Sequence, residues 1–124
     1  MIHAAWSPPD VALADTAQTF WEAQRGNGCV VIHYLVQDDQ SNAPLGYQST
    51  WSEDRGFGGP VLVESSLSAL DEMYSTGLFT GAFPLTLLLS RDLVVVSSAE
   101  GAPEDGMEYF TEEVEGLLGD PAPF

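Results

Sequence analysis

The 124-residue chain sets 19 Asp and Glu against three basic residues, Arg25, Arg55 and Arg91, for a formal charge of −16, and it contains no lysine. Charge this one-sided repels itself and opposes compaction, so some partner or medium is expected to reward it. Nucleic-acid phosphates and anionic membrane surfaces, normally met by Lys and Arg clusters, are excluded as direct partners.

A 44% hydrophobic fraction, three tryptophans and runs such as Val30-Val31-Ile32 argue for one folded domain over residues 1–124 rather than a disordered chain. The segment from Met1 to Pro9 has neither a basic start nor a long apolar core, and no stretch approaches the roughly 20 apolar residues that span a bilayer. The expectation is a cytoplasmic protein with a mobile N-terminus.

In chain order, Ser7-Pro8-Pro9-Asp10 reads as a helix start, with Ser7 as cap, proline in the first turn and a carboxylate near the free amides. Leu13, Ala14, Ala17, Phe20 and Trp21 recur at helical spacing, which predicts a helix from Pro8 to Arg25 stopped at Gly26. Cys29 to Val36 is apolar on both alternating faces and predicts a strand covered on both sides. The polar stretch Gln37 to Pro44 turns the chain, and the alternation of Leu45, Tyr47, Ser49 and Trp51 predicts a second strand with one wet face.

Ser52 to Pro60 has no period and reads as a loop; Val61 to Val63 adds a short strand. Ser65 or Ser66 caps a second helix with Leu67, Leu70 and Tyr74 inward and Gly77 as its stop. Leu85–Leu89 and Leu93–Ser98 form a hairpin bent at Ser90-Arg91-Asp92. After Gly101 to Pro103 comes a last helix with the stripe Met107, Phe110, Val114, Leu117 and Leu118, ended by Gly119 and followed by a flexible tail, Asp120 to Phe124. The order α-β-β-(β)-α-β-β-α implies an α+β fold, an antiparallel sheet of four to five strands with three helices packed on it.

The acids are unevenly spread. Glu104, Asp105, Glu108, Glu112, Glu113 and Glu115 crowd the last helix and its approach. Glu104 and Asp105 complement a helix N-terminus, but Glu108, Glu112 and Glu115 follow i, i+4, i+7 spacing where a solvated helix would interleave lysine. Asp15 and Glu22 share a face of the first helix, and Asp38-Asp39 lie in the following turn. If the first and last helices pack on one side of the sheet, these acids merge into a surface that steers a basic partner and binds it salt-sensitively. Trp51 precedes the glycine-rich loop and Phe57 sits among its glycines, and these are the candidate aromatic anchors for that partner.

Catalytic chemistry is thinly supplied. Cys29 and His33 share a strand face but stand roughly 13 Å apart, too far for a nucleophile and base. His33 reads as a satisfied core or edge histidine, and Cys29 as a buried reduced thiol. No Cys pair, His-x-x-x-His or calcium-loop spacing occurs, and Gly56-Phe57-Gly58-Gly59 lacks the Lys-Ser/Thr ending of a phosphate loop. The expectation is therefore a protein that is not an enzyme and holds no metal or cofactor.

Small, acidic and free of motifs, the chain is similar in composition to bacterial immunity proteins, antitoxins and phage-encoded nucleic-acid mimics, a likeness that rests on no particular residue. It implies an inhibitory binding protein whose acidic face neutralises a cationic toxin or nucleic-acid-acting enzyme, with toxin immunity favoured over phage mimicry. The alternative is an acidic structural or regulatory module, including a halophilic one that would unfold when salt is removed.

Overall fold

Residues Ile2–Ala4, expected to be mobile, form a strand, β1, at the centre of a five-stranded sheet. In the computed structural model, which describes residues 1–38 and 45–119, β1 is followed by α1 (Pro8–Gln24), β2 (His33–Gln37), α2 (Tyr47–Arg55), β3 (Val61–Val63) and α3 (Ser68–Ser75). The hairpin β4 (Leu85–Leu89) and β5 (Val95–Glu100) comes next, then α4 (Thr111–Gly119), with 3-10 turns at Arg25–Asn27 and Gly106–Phe110. The fold class is α+β, and the sheet order is β3-β2-β1-β4-β5. The predicted tail, residues 120–124, lies outside the described residues, as does Asp39.

The sheet is mixed rather than antiparallel. β1, β2 and β3 run parallel, while β4 pairs antiparallel with both β1 and β5. Parallel neighbours require a crossover, usually helical, which explains the second correction: residues 47–55, expected as the end of a strand from Leu45 to Trp51 and the start of the loop Ser52 to Pro60, are the helix that carries β2 to β3. Tyr47 and Trp51 fit either structure, because residues two pleats apart on a strand are also one turn apart on a helix. Gly46 (φ 95°) and Gly56 (φ 63°) set the ends of that helix in left-handed backbone that favours glycine. Among the described residues there are four α-helices, this crossover helix adding to the three expected.

Smaller differences have local causes. Pairing on β2 begins only at His33, leaving Val30 and Ile32 exposed and Cys29 half-buried instead of in a covered strand. α3 starts after Leu67 instead of at Ser65 or Ser66, and its Tyr74 faces outward while Leu70 is buried. The hairpin's second strand runs from Val95, two residues later than expected, because a turn takes up Leu93 at φ 63°. The last helix begins as a 3-10 turn, but Met107, Phe110 and Val114 are buried as the stripe predicts.

Two apolar clusters sandwich the sheet. On one face Leu13, Ala14, Ala17 and Phe20 of α1 pack with Val31, Leu35, Trp51, Phe57, Met107, Phe110 and Val114. That puts α1, α2 and α4 in one layer, as right-handed crossovers progressing in one direction require for α1 and α2. On the other face Leu70 of α3 and Phe79 cover Ile2, Val36 and Leu85.

Gly59 fixes how the loop after α2 closes. A Cβ there would stand 2.6 Å from Cε1 of the buried Phe57 ring and 3.3 Å from the Val31 carbonyl oxygen, with neither free to retreat. Gly59→Ala is expected to cost about 1–3 kcal/mol through overpacking, read as a lower midpoint in urea unfolding with the slope unchanged.

Candidate functional site

The most unusual chemistry in the molecule is inside it. His3 on β1 and His33 on β2 are both buried and face the α1 layer, with their rings stacked at a 4.9 Å centroid distance. His3 Nε2 lies 2.8 Å from His33 Nδ1, and His3 Nδ1 lies 3.1 Å from Asp10 Oδ1 in the first turn of α1. The Ala4 amide also donates to that oxygen at 3.0 Å. Asp10 is thus turned inward to a histidine rather than capping its helix, and His3 is no part of a mobile terminus.

With Asp10 accepting, the partners assign the rings: His3 donates through Nδ1, so its Nε2 accepts from His33 Nδ1, and His33 Nε2 is left as a buried acceptor without a partner. Trp51 and Phe57 enclose His33, at 4.8 Å and, edge to face, 4.0 Å. Neither aromatic reaches the surface, so the two expected anchors form the wall of this polar core instead. The pattern that would have revealed the network is His3, Asp10 and His33 on the inner faces of two strands and a helix, but no fixed spacing marks it in the sequence.

Burial dominates the protonation of all three groups. It drives both imidazoles well below their ordinary value of 6.5; the Met1 ammonium and Arg55 add to this at His3, and His3 and the ammonium add to it at His33. Burial also pushes the Asp10 carboxyl up to about 6, against the Ser7 hydroxyl and the Ala4 amide, which favour its charged form. Among the described residues, no group of three or more His, Cys, Asp or Glu is arranged to hold a metal ion.

The acidic residues lie outside this core. Asp15, Glu22, Glu104, Asp105, Glu108, Glu112, Glu113 and Glu115 are all exposed, and Asp38 is half-buried. Of these acids, Asp15 of α1 meets Asp105 and Glu108, which precede α4, whereas Glu22, Glu112, Glu113 and Glu115 do not join them. Asp15, Asp105 and Glu108 line an open groove of about 640 Å³ between α1 and the 3-10 turn, floored by Phe20 and Met107 and edged by Thr16, Thr19 and Gln24. No basic residue lines it. Glu108 belongs to the 3-10 turn and Glu112 and Glu115 to α4, so the three do not share one helical register. Arg55 reaches Asp15 at 3.3 Å, partly balancing one rim of the groove, and Gln18 donates to Glu22. Glu115 lines a separate shallow hollow with Gln24, Asn27 and Leu118.

The buried network sets an acid response whose sign follows from its protons. The unfolded chain gains two imidazole protons below pH 6.5 that the folded chain refuses, while the folded chain retains an Asp10 proton up to about pH 6 that the unfolded chain loses above 3.8. The histidine contribution is lost as pH falls and the Asp10 contribution is lost as pH rises. Between roughly pH 4 and 5 the balance is one proton, so stability falls with acid by about 1.4 kcal/mol per pH unit from these groups, and above about pH 5 the buried Met1 amino group, lowered to about 5, adds a second that the network does not supply. His33→Phe should be less stable at pH 7 by about 1–3 kcal/mol, having left His3 Nε2 unpaired. It should also lose most of that acid slope, as measured by urea unfolding across the same range. An unchanged slope would remove the network as its source. Comparison with protein-family models and with curated proteins finds no match for this chain.

Proposed function

We propose that the protein is a small acidic inhibitor that acts by binding, covering the cationic active or substrate-binding surface of a basic partner. The observation that supports this best is the groove between α1 and the 3-10 turn, where Asp15, Asp105 and Glu108 surround an apolar floor and no basic residue lines the cavity. Such a slot suits an Arg or Lys side chain, whose aliphatic stem lies on Phe20 and Met107 while its charge meets the carboxylates. Glu104 and Glu112, exposed and next in sequence to the lining residues Asp105 and Thr111, add to the field around it, and a net charge of −16 speeds encounter with a basic protein.

The partner class is a toxin or another enzyme that acts on nucleic acid, whose phosphate-binding surface carries the complementary charge. Immunity to such a toxin in the cytoplasm is preferred to phage mimicry. Among the described residues no helix is long and apolar enough to cross a membrane.

The test is affinity capture from the native host, identification of the bound protein, and titration of the purified pair against salt. A basic partner is expected, held more weakly as salt rises. A variant combining Asp15→Lys, Asp105→Lys and Glu108→Lys should bind at least about a hundredfold more weakly at low salt. Equal affinity for the reversed variant would overturn the electrostatic basis of the proposal.

A further inference from the structure

A second surface has the opposite character. β5 is the outermost strand of the sheet and its outer edge is unpaired among the described residues. Residues 93–99 (Leu-Val-Val-Val-Ser-Ser-Ala) carry no charge, and they contain no Lys or Pro, the residues that usually protect an edge. Leu93, Val94, Val96 and Leu89 of the hairpin are exposed, and Val30 and Ile32, also exposed, lie by Leu88 and Leu89 of β4. A groove of about 230 Å³ continues the apolar surface between the hairpin tip and Leu117 and Leu118 of α4, with Arg91 on its rim. The cationic partner proposed above finds nothing complementary here.

We propose that this edge is where two copies of the chain associate, their β5 strands pairing antiparallel about a two-fold axis to join the two sheets. An unpaired strand edge asks for an extended backbone, and an antiparallel two-fold makes any strand complementary to itself. The charge distribution selects a second copy. Within a chain of −16, this is a surface where like-charged molecules can touch without opposing carboxylates. Pairing centred on the middle of β5 places Val95 opposite Glu100 of the other copy. Arg91, in the hairpin turn before β5, then lies towards the far end of the other copy's β5, the end from which Glu104 and Asp105 follow, twice by symmetry. Arg91 is exposed and makes no ion pair among the described residues.

The proposal rests on the β5 edge and not on the groove reading, with Asp105 the residue that borders both, and salt separates the two. Screening relieves repulsion between copies and strengthens self-association, whereas it weakens capture of a basic protein. Sedimentation equilibrium of the full chain over a wide concentration range should give a mass rising towards two chains, further at high salt. Hydrogen exchange at Val95–Glu100 should slow as concentration rises. Val96→Lys, and independently Val94→Lys, should weaken association at least about tenfold with the circular dichroism spectrum unchanged. Arg91→Glu should weaken it, and adding Glu104→Arg should restore it. A single-chain mass at every concentration and salt, including one accompanied by binding of a foreign strand, would overturn the proposal. So would association that both lysine variants leave intact.

Discussion

The inward turn of Asp10 is the interaction on which the rest of the architecture depends. One carboxylate oxygen takes the amide of Ala4 and the imidazole of His3, so the first turn of α1 is tied to the strand it has just left. His3 passes the connection to His33 on the neighbouring strand. Helix, central strand and second strand are thereby held in one register by three side chains. The side chains that complete the enclosure, Trp51 and Phe57, come from α2 and its following loop. The isolation that makes this core costly to charge also makes its geometry exacting, since a buried polar chain is stable only when nearly every member has a partner.

Inside and outside follow opposite rules. The interior holds its imidazoles neutral and surrounds the Asp10 carboxylate with hydrogen-bond donors, while the surface leaves most of its carboxylates exposed with three arginines in the whole chain. Of those arginines, Arg55 answers Asp15 and Arg25 lies over the Trp21 ring at 4.9 Å. Neither reduces the charge of α4. The repulsion stored on that side is a standing cost to folding, and a cationic surface would relieve it on binding.

The sequence carried some features of this fold plainly and others not at all. α1, the β4–β5 hairpin and the buried stripe Met107, Phe110 and Val114 were readable because period and end signals agreed. β1 was unreadable because three residues, Ile2–Ala4, are too few to show a period. Its absence removed the parallel pairings from the expected topology. Residues 47–55 were misassigned because Tyr47 and Trp51 suit a strand and a helix equally, and only the need for a crossover decides between them. The acids of α1 and α4 were legible as a charge pattern, but the groove joining Asp15 to Asp105 and Glu108 requires the layer in which the helices meet. His3 and His33 are thirty positions apart, and nothing short of the β1–β2 register brings them together.

The sheet order has a mechanical consequence. β2 and β3 form one side of the sheet and the β4–β5 hairpin the other, and the two sides meet only through β1. On the hairpin side the ladder beside β1 is anchored by the single pairing of Ile2 with Leu85, against five along β4 and β5. Sheets ordinarily fray from their outer strands inward. Here the shortest ladder runs down the middle, so the two sides of the sheet are joined less by backbone pairing than by the apolar clusters that cross the seam on both faces. Packing, and not the ladder, is what makes the two halves one body.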